Sequence, residues 1–160
     1  MKKLLTEWLA WGFRVALGVI FIVAAIPKIV DPKAFAWSIS YYHMIPQDLI
    51  NALAICLPMI ELLAGVFLVV GVANRASLLL VSGMLVVFII AIISAMVRNL
   101  DISCGCFSPG AKGKAMTTST LTWDIVWLAM AVHAMIFDRE RLSLGAALRR
   151  RRHGSKGATA

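Results

Sequence analysis

The sequence predicts an all-α membrane protein: a four-transmembrane-helix bundle with a short interfacial helix in the first extracytoplasmic loop. Three observations predict it. The 160 residues are 61% hydrophobic and 15% charged, and the mean hydropathy is +0.86; a soluble domain is about half apolar and a quarter charged. The apolar residues gather into four runs, each long enough at about 20 helical residues to cross roughly 30 Å of hydrocarbon. The basic residues are distributed unequally between the segments that join those runs. An ordinary soluble fold and a disordered chain are both excluded.

The first run, residues 8–27, carries one charge, Arg14. A cleaved signal peptide ending near Val23-Ala24-Ala25 is the competing reading of this start. Arg14 interrupts its apolar region, so a retained helix is expected. Asp31 then suits a helix N-cap, Pro32 the first helical position and Pro46 a stop. Between them Phe35, Ile39 and Tyr42 share one face at i, i+4 and i+7, which predicts the interfacial helix. The second run, residues 49–73, carries Glu61, with Pro58 expected to kink it. The third, residues 76–97, has no charge, and the short connection Ala73-Asn74-Arg75 requires an antiparallel hairpin. The fourth, residues 117–137, carries Asp124. Residues 139–160 form a basic tail with the run Arg149 to Arg152, which reads as an anchor to anionic lipid and not as a nucleic-acid site. Gly12, Gly18, Gly65, Gly71 and Ser82-Gly83 are the small residues expected at helix contacts.

Lysines and arginines set the orientation. Lys2, Lys3, Arg14, Arg75 and the tail hold 11 of them on one side; Lys28, Lys33, Arg98, Lys112 and Lys114 make 5 on the other. Both termini and the Arg75 turn are therefore expected in the cytoplasm, in a multi-pass protein of the cell inner membrane. The two longer loops then face outward. The net charge of +8 is mainly this anchor, so nucleic acid is not an expected partner.

The chemistry-bearing residues cluster in or near those outer loops. Cys104 and Cys106 flank Gly105 on the oxidising face, where a disulfide can persist. A ring that small needs a bent backbone, which Gly105 permits, and a strained disulfide is more readily reduced than a structural one. The pair reads as a reversible redox couple, as two thiolates of a metal site completed by Cys56 or His43, or as an inert feature. A full zinc pattern would show a second Cys or His pair. Basic Arg98, Lys112 and Lys114 nearby would raise the thiolate fraction. Cys56 lies about 10 Å below the start of the second run, either as a relay thiol or as a small buried hydrophobe. Glu61, about 18 Å down by the same rise, sits near the membrane centre, where an ionisable group is by default functional. It reads either as the ion-pair partner of Arg14 or as part of a proton path. Asp124 reads as an interfacial carboxylate or as a base near the cysteine loop. Trp37, Tyr41 and Tyr42 belong either to the aromatic belt or, with His43, to a wall for a quinone ring.

Taken together, Arg14 and Gly18, then Pro27-Lys28, Asp31-Pro32 and Phe35, Glu61-Leu62-Leu63-Ala64-Gly65 ending at Gly71, and the loop Cys104-Gly105-Cys106-Phe107 resemble the MauE/DoxX family of redox-associated membrane proteins. The cysteine loop looks like the MauE branch. The resemblance implies a bundle similar to that of vitamin K epoxide reductase and DsbB-like quinone-linked enzymes. It also implies a role in disulfide formation during methylamine utilisation, or in quinone-linked sulfur oxidation. The expected function is thus a membrane thiol–disulfide oxidoreductase component that takes electrons from an extracytoplasmic thiol protein or sulfur compound, alone or with a redox partner subunit. Better-understood disulfide generators use two cysteine pairs; this chain has one pair plus Cys56, with none on the cytoplasmic side, so it cannot relay thiols across the bilayer alone. Two other classes stay open: a non-catalytic subunit that binds a partner or metal at the outer loop, and a small transporter using Glu61.

Overall fold

The computed structural model describes residues 2–42, 45–98 and 118–137. Among these, every regular element is helical: α1 (Lys2–Val30), α2 (Pro32–Ser40), α3 (Gln47–Val70), α4 (Asn74–Val97) and α5 (Thr118–Phe137). Four of them contain segments long and apolar enough to cross a membrane, Thr6–Val30, Gln47–Val70, Asn74–Val97 and Ser119–Phe137. The helices pack as a ring, α1 against α3, α3 against α4, α4 against α5 and α5 back against α1. Successive helices alternate in direction, so α2 and the ends marked by Val30, Gln47, Val97 and Thr118 lie at one end of the bundle.

Local sequence accounts for the boundaries. Asp31 caps α2, its Oδ1 accepting from the Ala34 amide at 3.0 Å, and Pro32 takes the first turn, where its missing N–H is not needed. At the other end α3 stops at Gly71, whose φ of 79° and amide bond to the Phe67 carbonyl form a left-handed cap. Ala73 also turns left-handed, at φ 50°, and α4 begins at Asn74. The hairpin is therefore real, with its turn at Gly71–Ala73, two residues earlier than the apolar run suggests. Helix α1 continues past Pro27 to Val30, closing with the Asp31 amide on the Pro27 carbonyl at 3.1 Å. Helix α3 likewise runs through the buried Pro58 as one element.

At the centre Leu17 and Phe21 of α1, Ala64 and Leu68 of α3, Leu78, Val81 and Leu85 of α4, and Ala131 and Ala134 of α5 form a continuous apolar core. Lipid tails are as apolar as leucine, so close fit and not water exclusion holds such a core together. The tightest fit is between α1 and α3. A Cβ at Gly18 would stand 2.8 Å from the Gly65 carbonyl oxygen, and one at Gly65 would stand 2.8 Å from that of Gly18. Of the other glycines expected at contacts, Gly12 and Gly83 have no atom within 4 Å of such a Cβ. They face open space, and Gly71 serves the chain turn.

Candidate functional site

The Gly18–Gly65 crossing fixes which residues of the antiparallel pair stand level. Arg14 lies four residues to one side of it and Glu61 four to the other, a separation of about 12 Å along the axis at 1.5 Å per residue. The expected Arg14–Glu61 pair is therefore not formed. Lys28 takes that place, its Nζ donating to both Glu61 oxygens at 2.7 Å. Arg14 is itself buried, at 1% exposure, on the far side of the crossing.

The direction of side chains on helices explains the pairing. Cα–Cβ bonds tilt toward a helix's N-terminus. Lys28, near the C-terminal end of α1, leans back into the bundle, while Glu61 on the oppositely directed α3 leans out to meet it. Their tilt and length close an axial difference of about 9 Å. The pair is buried, with Lys28 and Glu61 each 1% exposed. Two aromatic faces cover the ammonium: Phe35 of α2 at 5.2 Å and Phe88 of α4 at 5.3 Å from Nζ to ring centroid. Such cation–π contacts strengthen when water is excluded.

Asp124 completes the group. It enters from the first part of α5, is 2% exposed, and lines one cavity with Lys28, Glu61, Phe88 and Trp127. Its Oδ2 has no hydrogen-bond partner. Asp124 is thus a buried carboxylate of the bundle interior and not an interfacial one. Among the described residues no three His, Cys, Asp or Glu side chains gather as a metal site; the centre of this cluster is an ammonium.

The other candidate residues do not join it. Cys56 is a free thiol on the exposed side of α3, not a buried hydrophobe, and it does not line the cavity. Trp37 is 64% and Tyr41 46% exposed, as aromatics of an interfacial belt are. Tyr42 is half-buried, and its carbonyl accepts from Arg98 Nη1 at 2.9 Å, which ties the end of α4 to the end of α2. Cys104, Cys106 and His43 lie outside the described residues, as does the tail 139–160. Lys28 is the member that the sequence alone does not single out: the first apolar run ends at Pro27, which puts Lys28 among the loop cations, whereas α1 continues to Val30. A lysine one residue beyond an apolar run, on a helix whose side chains lean back toward its start, is the signal that would have found it.

The chain matches the family described as methylamine utilisation protein MauE over residues 6–137. A methylamine utilization protein MauE of Paracoccus denitrificans is 27% identical over 110 residues, covering 68% of this chain and 59% of that protein. One of Paracoccus versutus is 28% identical over 136 residues, covering 84% of this chain and 73% of its own length. The chain thus spans less than two thirds of the first of these relatives. No solved structure matches it.

Proposed function

This chain belongs to the MauE family and has the four spans of a multi-pass membrane protein, and from that premise we propose that it is a thiol–disulfide redox component of methylamine utilisation. Cys104 and Cys106 carry the exchange. A thiolate of an extracytoplasmic thiol protein attacks one sulfur of the Cys104–Cys106 disulfide, forming a mixed disulfide and releasing the other sulfur as a thiolate. The partner's second thiolate then breaks the mixed disulfide. The partner leaves oxidised, and two electrons and two protons remain on the cysteine pair.

Return to the disulfide requires an acceptor for those electrons and protons, and a quinone is the class assigned by the resemblance. Trp37 and Tyr41 offer it an exposed aromatic surface and not an enclosed pocket, so the described residues do not by themselves hold a ring in place. Cys56, exposed on α3, is the relay thiol in this reading. Glu61 and Asp124 are the groups that handle protons, since intramembrane ionisable residues are kept for function.

The observation that supports this reading is topological. The segment carrying Cys104-Gly105-Cys106 joins the ends of α4 and α5 on the side of the bundle where α2 lies, and Lys28, Glu61 and Asp124 are buried within that same half. With both termini in the cytoplasm of an inner membrane, as the basic residues favour, this side faces outward. Thiol alkylation of the purified protein before and after reductant tests it. Two additional thiols should become reactive on reduction, and both should be lost in a Cys104→Ser, Cys106→Ser variant. A pair that is never disulfide-bonded under any condition overturns the reading. Stoichiometric metal lost in the same variant would point instead to a binding subunit.

A further inference from the structure

The buried cluster contains one ammonium and two carboxylates, and the geometry shows how they divide. Glu61 takes the ammonium, with both of its oxygens 2.7 Å from Lys28 Nζ. Asp124 is 2% exposed and its Oδ2 is without a hydrogen-bond partner, yet it lines the same cavity as the pair. Ionising Asp124 would set a second negative charge beside a single ammonium with its Oδ2 unpaired, a cost that favours the protonated carboxyl there.

Each element packed around the cluster contributes to this balance. Helix α1 supplies Lys28, α3 supplies Glu61, and α2 and α4 supply the rings of Phe35 and Phe88. No other ionisable side chain among the described residues lines the cavity. The cavity measures about 20 Å³, enough for one water, which needs about 10–15 Å³ and two or more polar partners. Asp124, Lys28 and Glu61 are the polar residues that line it.

We infer that Asp124 holds an exchangeable proton, passed through one water seated between it and the Lys28–Glu61 pair, so that the three side chains form a one-proton acid site inside the membrane. The proton resides on the carboxyl of Asp124, and release through the water leaves two carboxylates sharing one ammonium. Its return restores an electrically neutral cluster. Asp124 is then the acid of the cluster, where the sequence suggests a base. The inference rests on the bundle alone and not on the thiol reading, so the alkylation result does not bear on it.

Infrared spectroscopy of the full chain in lipid vesicles, stepped from mildly acidic to neutral pH, tests it. The carbonyl stretch of a protonated carboxylic acid should be present, and should move when aspartate labelled with a heavy carboxyl carbon is incorporated. It should vanish in Asp124→Asn with helix content intact by circular dichroism, and shift on transfer to heavy water. Absence of the band from the wild type, a band unmoved by labelled aspartate, or one that persists in Asp124→Asn overturns the assignment. A band that does not respond to heavy water overturns the exchange. The labelled wild type decides between aspartate and glutamate even where the variant fails to fold.

Discussion

Two levels of this bundle are held together by different physics. At the Gly18–Gly65 crossing, α1 and α3 approach so closely that a Cβ would stand 2.8 Å from a carbonyl oxygen, and the neighbouring core is apolar throughout. A few turns away the same two helices are joined by a buried ion pair at 2.7 Å. The first contact gains its strength from fit, because hydrocarbon on protein replaces hydrocarbon on lipid. The second is held by the cost of separating it: either partner alone would be a bare charge away from water. Shape fixes one level and charge balance the other.

The largest expected effect lies at the charged level. Lys28→Met leaves Glu61 buried and unpaired, and should destabilise by about 3–5 kcal/mol, measured by denaturant unfolding in detergent and followed by helical circular dichroism. Glu61→Gln should cost less, since Asp124 on the same cavity can ionise and balance the ammonium. Lys28→Met combined with Glu61→Gln should recover much of the loss, because the two changes remove both charges. If the two losses simply add, the contrast between the levels collapses.

At the packed level, Gly65→Val should cost about 1–3 kcal/mol by overpacking, with no recovery from any charge change. The matched control is Gly83→Val, where a Cβ meets nothing within 4 Å; the same measurement should show a change within about 0.5 kcal/mol. Between these falls Asp31→Ala, which removes the cap of α2 and should cost about 1 kcal/mol, seen as faster amide exchange confined to α2. The smallest effect is expected at Cys56, exposed on α3, where Cys56→Ser should leave unfolding within about 0.5 kcal/mol of the wild type. A large loss there would show that the thiol is packed and not merely presented.

The packed level was the more legible in the sequence. Uninterrupted apolar runs located all four spans to within a few residues, Asp31-Pro32 announced the start of α2, and Gly18 and Gly65 were recognisable as contact residues. Composition could not say which glycines touch, because Gly12 and Gly83 have the same chemistry and differ only in which way their helix faces. The charged level was half legible. Glu61 stood out as an ionisable residue at mid-membrane, but its partner depended on two facts that no periodicity carries. One is that α1 does not stop at Pro27, whose neighbouring backbone groups can be satisfied within a helical bundle. The other is the register of α1 on α3, set by the glycine crossing, which moves Arg14 out of reach and brings Lys28 in. Cys104 and Cys106, legible as a redox candidate from their spacing alone, lie beyond the described residues.

The crossing also sets a lever length. Lys28 lies ten residues beyond Gly18, an arm of about 15 Å at 1.5 Å per residue. Rocking α1 about that point by roughly 4° carries the base of Lys28 through about 1 Å by the same rise. The Lys28 stem must extend by a comparable amount to keep its contact of 2.7 Å with Glu61. A tilt of α1 about the glycine contact would therefore be felt at the ion pair, whose two residues lie on the two helices that the contact joins.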